Sequence, residues 1–133
     1  MENLVLDPSD KTPYFNLKSD GNMLFGGVSM PEDAPSFYFK IIDWIRDYYS
    51  NPNKETLVTV GFRYLNSSSS RMVLKIFQAL NGLQDTGKTS IKCTWYYESD
   101  DLDMRDYVEQ IAKHADNIEF NVCPTDELAP DFM

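Results

Sequence analysis

The sequence predicts a single-domain α/β sandwich built on a mixed β-sheet. Three observations predict it. An Asp-Gly pair, Asp20-Gly21, sits between the apolar runs Tyr14-Phe15-Asn16-Leu17-Lys18 and Asn22-Met23-Leu24-Phe25, which is a strong local hairpin signal. Helix-periodic and strand-periodic segments then alternate to the end of the chain. No internal repeat or low-complexity linker divides the 133 residues, so one domain spans 1–133. Helices that alternate with strands cross over between parallel neighbours, with right-handed connections. The hairpin adds antiparallel strands, making the sheet mixed.

The elements follow in order. Residues 1–12 read as a loosely ordered lead-in. Gly26-Gly27 after the hairpin allows a bulge or bend. Met30-Pro31-Glu32-Asp33-Ala34-Pro35 reads as a turn into a helix, because Pro35 has no N–H to lose there and Glu32 and Asp33 favour the positive end of the dipole. That helix is expected from Pro35 to Tyr49, with Phe37, Ile41, Trp44, Ile45 and Tyr48 as its apolar stripe. Ser50-Asn51-Pro52-Asn53 stops it. A strand follows over Leu57–Leu65, with Val58, Val60, Phe62 and Tyr64 pointing one way. A helix from Ser70 to Leu83 carries Val73, Phe77 and Leu80 on one face, and Asp85-Thr86-Gly87 closes it. Ile91–Tyr97 is a strand, Asp101–Ala115 a helix and Ile118–Val122 a last strand. The tail 124–133 reads as frayed apart from a dock through Phe132.

Composition narrows the function. Twelve Lys and Arg against 21 Asp and Glu give a net charge of −9. That field repels nucleic-acid phosphates and anionic headgroups, so neither a nucleic acid nor a membrane is the expected partner. Two cysteines, Cys93 and Cys123, are too few for a disulfide framework or a closed zinc site. No cofactor or metal is expected. The N-terminal MENLVLDPSD has no basic region followed by an apolar core, and no apolar run approaches membrane length, so a cytoplasmic location is expected. The single histidine, His114, beside Lys113, has no partner in sequence for catalysis.

The most unusual stretch is Tyr64-Leu65-Asn66-Ser67-Ser68-Ser69-Ser70-Arg71. Four serines sit where a strand ends and a helix begins. Helix N-termini present unpaired N–H groups and a positive partial charge, which accept a hydroxyl, a carboxylate or a phosphate. Capping needs one such residue. An anion cradle for a small molecule lacks the glycine spacing and lysine of a nucleotide loop. A phosphorylation site fits better: a phosphate adds about −1.5 to −2 charges at pH 7 without disturbing the core. Arg71, one turn on, is placed to pair with it.

These residues carry a family resemblance. Leu65-Asn66-Ser67-Ser68-Ser69 resembles the Leu-Asn-Thr/Ser-Ser-Ser signature of the SiaC-like bacterial regulatory phosphoproteins. Ser29-Met30-Pro31-Glu32-Asp33 resembles their Ser-Tyr-Pro-Glu-Asn segment. Trp95-Tyr96-Tyr97-Glu98 followed by Asp100-Asp101-Leu102-Asp103-Met104 resembles their Trp-Tyr-Tyr-Asp-x-Asp-Asp-x-Asp-Met segment. The resemblance implies a STAS-like sandwich, like that of the anti-sigma-factor antagonists. It implies a partner switch without enzymatic activity. A cognate Ser/Thr kinase phosphorylates the turn, a PP2C-type phosphatase reverses it, and the unmodified form binds and activates a diguanylate cyclase, raising cyclic di-GMP and controlling biofilm or aggregation. The family's phosphorylated Thr falls on Ser67, whereas the anti-sigma antagonist pattern favours Ser68. Asn66, Ser69 and Arg71 are the expected supporting residues. Tyr64, Pro31, Glu32, Tyr97, Asp100, Asp101 and Asp103 are the expected partner contacts.

The acidic run Glu98, Asp100, Asp101, Asp103, Asp106 and Glu109 faces one base, Arg105. It lacks the spacing and glycine of an EF-hand. It reads as a helix start capped by Ser99 or Asp100, and also as a docking face for a basic surface. Two further functions stand against the switch. A serine hydrolase needs a base and an oxyanion site, for which the chain offers no Gly-x-Ser-x-Gly elbow. A constitutive interaction scaffold would use the serines only as caps.

Overall fold

The computed structural model of the chain describes residues 1–129. Its strands are β1 (Leu4–Leu6), β2 (Tyr14–Leu17), β3 (Asn22–Ser29), β4 (Glu55–Leu65), β5 (Ser90–Glu98) and β6 (Glu119–Thr125). Its helices are α1 (Ala34–Tyr48), α2 (Ser67–Asp85) and α3 (Leu102–His114). The six strands form one sheet in sequence order. β1–β2 and β2–β3 pair antiparallel, and β3 to β6 pair parallel through the three helices. The predicted mixed α/β sandwich is therefore the fold observed. Each crossover steps the same way across the sheet, so all three helices share one face, with α1 against α2 and α2 against α3.

The hairpin forms at Ser19-Asp20-Gly21. Gly21 takes φ 97°, a left-handed conformation that a side chain strains, and a Cβ there would lie 2.7 Å from the Glu55 carbonyl oxygen. The core lies between sheet and helices. Phe15 stacks on Phe25 at 4.8 Å and Phe77 on Trp95 at 5.5 Å, pairs worth about 0.5–1.5 kcal/mol each beyond their buried area. Among the described residues no helix covers the other sheet face, which leaves Val5, Leu57 and Tyr96 exposed.

Several expectations need correction. The lead-in contains β1, held by the Trp44 indole donating to the Glu2 carbonyl (2.8 Å) and the Ser19 amide donating to Asn3 Oδ1 (2.8 Å). Three residues are too few to show an alternating period. In α1, Tyr38 is fully buried while Phe37 is only half-buried. Tyr64 does not point with Val58, Val60 and Phe62. Gly27 pairs with Phe62 but Val28 pairs with Tyr64, so Arg63 is an extra residue that shifts the alternation. Leu65 consequently packs on the core and Tyr64 is 51% exposed. Helix α2 starts at Ser67, three residues before the expected Ser70, because Asn66 caps it. The expected frayed tail is partly strand, since β6 runs to Thr125 and Leu128 is buried. The expected dock through Phe132 lies outside the described residues.

Candidate functional site

The serine run occupies the first turn of α2, at the carboxyl end of the parallel strands. Asn66 is extended (φ −75°, ψ 172°), and its side-chain oxygen accepts from the Ser69 amide at 2.8 Å. Its carbonyl accepts from the Ser70 amide at 2.9 Å. The cap is thus an asparagine, and none of the serines is needed for it.

The four serines divide by environment. Ser69 is fully buried and Ser70 half-buried, while Ser67 and Ser68 are exposed. Ser29 Oγ donates to Ser69 Oγ at 2.8 Å, which leaves the Tyr38 hydroxyl to donate to Ser29 at 2.7 Å. The Ser29 carbonyl also accepts from the Asn66 amide at 3.0 Å. Burial raises the Tyr38 hydroxyl's pKa well above the ordinary tyrosine value, so it stays a donor. This chain of hydroxyls fixes the end of β3 to the start of α2. Ser69 was expected to support a phosphate; it is instead a polar core residue, closed to any kinase.

Ser70 Oγ donates back to the Ser67 carbonyl at 2.8 Å, and the Tyr107 hydroxyl of α3 donates to the Ser70 carbonyl at 2.6 Å. Burial raises the Tyr107 hydroxyl's pKa as well. Tyr107 therefore ties α3 to the serine turn. Between these helix starts lies a crevice of about 320 Å³. Arg63, Tyr64 and Ser67 line one side, and Asp101, Asp103 and Tyr107 line the other. Helix α3 is capped by Asp101, which accepts from the Met104 amide at 3.0 Å, rather than by the expected Ser99 or Asp100.

Of the expected residues, the fold gathers Tyr64, Ser67, Asp101 and Asp103 around this crevice. Ser68, Arg71 and Asp100 are exposed but do not line it. Pro31 and Glu32 lie in the loop before α1, where Asp33 caps by accepting from the Ser36 amide (3.2 Å) and hydroxyl (2.8 Å). Tyr97, an expected partner contact, is only 8% exposed; alternation in β5 puts Tyr96 on the open face instead. Sequence reasoning missed Arg63, Ser29, Tyr38 and Tyr107, whose roles come from long-range packing. Among the described residues, no helix is long and apolar enough to cross a membrane.

Comparison with known proteins places the chain. At 20% identity it superposes on apo-SiaC of Pseudomonas aeruginosa with TM-score 0.82, covering 92% of this chain and 99% of that one. It superposes equally on the SiaC chain from the complex of the diguanylate cyclase SiaD with its activator SiaC, with TM-score 0.83 at 19% identity and coverages of 92% and 99%. These likenesses show the fold. An uncharacterised protein of Pseudomonas aeruginosa strain UCBPP-PA14 is 23% identical over 78 residues, 59% of this chain and 61% of that protein. The SiaC family pattern matches residues 6–125, and the chain belongs to the SiaC family of regulatory phosphoproteins.

Proposed function

We propose that this chain is a non-enzymatic partner switch, modified at Ser67 or Ser68. Its unmodified form binds and activates a diguanylate cyclase, which raises cyclic di-GMP and controls biofilm formation or aggregation. A cognate Ser/Thr kinase adds the phosphate, and a PP2C-type phosphatase removes it. The observation that carries this reading is the division of the serine run: two hydroxyls exposed on the first turn of α2, over a third locked in the core. A phosphate on either exposed serine meets the free amides of the first turn and the positive end of the dipole. It changes the surface by nearly two charges while the Ser29–Ser69–Tyr38 chain keeps the fold. The cyclase partner is inferred from the SiaC–SiaD complex of the structural relative.

The scaffold reading, in which the serines only cap, is disfavoured because Asn66 already supplies the cap. Phosphopeptide mapping of the chain purified from its own cells tests the proposal. Phosphate is expected on Ser67 or Ser68 and absent from a folded Ser67→Ala/Ser68→Ala variant. Undiminished phosphorylation of that variant would overturn the assignment.

A further inference from the structure

Ser67 and Ser68 face different surfaces. Ser67 lines the crevice against α3. Ser68 lies one turn before Met72, on the helical stripe that continues through Lys75 and Ala79. That stripe borders a second and larger hollow, a groove of about 790 Å³ between α1 and α2. Its apolar lining includes Phe39, Ile42, Met72 and Ala79. Phe39 is 65% exposed, the largest bare aromatic surface of the described residues, and also borders an adjoining hollow of about 350 Å³. The groove reaches from Pro35 to Tyr49, which is about 21 Å, or four helical turns, at a rise of about 1.5 Å per residue.

The charges on this groove run against those of the chain. Arg46 and Lys75 line it with a single carboxylate, Asp43, in a protein of net charge −9. Both walls are helices, whose backbone groups are paired internally, so a strand cannot dock by adding to a ladder. Affinity must come from side chains entering the groove. An amphipathic helix supplies them at three- and four-residue spacing, and acidic flanks suit the Arg46 and Lys75 rims.

We propose that the α1–α2 groove is a docking surface for an acidic amphipathic helix of a partner protein. The inference deepens the partner-switch reading by giving the partner a binding mode. Modification at Ser68, rather than at Ser67, is then the one that sets a phosphate at the mouth of the groove, where it repels the incoming acids.

The test uses two 18-residue helical peptides with the same leucine stripe, one flanked by Glu and one by Lys. Each is titrated into the isotope-labelled full chain and followed by amide chemical shifts. The Glu-flanked peptide is expected to shift resonances around Phe39, Arg46 and Lys75, and to bind at least about tenfold tighter than the Lys-flanked one. Phe39→Asp should weaken it by about tenfold or more, and Arg46→Glu/Lys75→Glu should reverse the preference; all three positions are exposed, so the fold tolerates these changes. Absence of binding, equal binding of the two peptides, or shifts confined to the crevice beside Tyr64 would overturn the proposal. Binding of the Glu-flanked peptide by a chain that ignores diguanylate cyclases would uphold the groove and overturn only the cyclase assignment.

Discussion

The three helix starts of this protein face the same end of the sheet but are built differently. Helices α1 and α3 are capped by aspartates, Asp33 and Asp101, and α3 carries Asp103 in its first turn as well. Helix α2 is capped by the neutral Asn66, has no acid in its first turn, and carries the serines. The dipoles of α1 and α3 are therefore already opposed by permanent charge, and that of α2 is left open. A phosphate placed beside Asp33 or Asp101 would meet a carboxylate in its own cap; on the first turn of α2 the cap is neutral, and Asp101 and Asp103 stand only across the crevice from Ser67. Reversible charge is accommodated where permanent charge is withheld.

Charge placed one residue deeper than Ser68 has the largest effect. Ser69→Asp buries a carboxylate against Ser29 and should cost about 4 kcal/mol by urea denaturation. Ser67→Asp and Ser68→Asp, in solvent on the same helix start, should change stability by less than about 1 kcal/mol. Next in size, Ser69→Ala leaves Ser29 without its acceptor and should cost about 1–3 kcal/mol. Asn66→Ala removes the cap and should cost about 1 kcal/mol.

A subtler exchange makes α2 resemble its neighbours. Asn66→Asp keeps a capping oxygen and should alter the unmodified protein by less than about 0.5 kcal/mol. Once phosphorylated, the same variant should be less stable than phosphorylated wild type by roughly 0.5–1 kcal/mol, because two anions then share one turn. Differential scanning calorimetry of the four species isolates that coupling.

The smallest effect concerns pH. Hydrogen bonds from the Ser36 hydroxyl and amide hold the Asp33 carboxyl below its ordinary value of 3.8. A carboxyl depressed in the folded state stabilises it above the ordinary value, and that contribution is lost as pH falls through the folded one. Asp33→Asn should flatten the fall in melting temperature below about pH 4, with no matching change near neutrality.

How far the sequence reveals this site depends on the range of each interaction. The Asp20-Gly21 hairpin, the alternation of elements and the serine-rich helix start were legible because turn chemistry and periodicity are local. Period-two alternation turns Tyr64 the wrong way because one extra residue, Arg63, resets it, and only pairing with β3 reveals the shift. Ser69 was indistinguishable from Ser67 and Ser68 by type; its burial is set by Ser29 and Tyr38, about 30 to 40 positions away in sequence. Tyr107 joins the serine turn across 37 positions, which no motif announces. The motif around Tyr97 points to a partner contact, yet strand alternation turns it inward and its neighbour Tyr96 outward.

In the proposed switch, one phosphate changes partner binding and leaves the fold in place. The direct measurement compares unmodified and stoichiometrically phosphorylated chain for melting temperature and for affinity to a diguanylate cyclase from the same cells. The switch requires melting temperatures within about 3 °C of each other and an affinity lowered at least about tenfold by the phosphate. Equal affinity of the two forms, or a phosphorylated chain that has lost its cooperative melt, would contradict it.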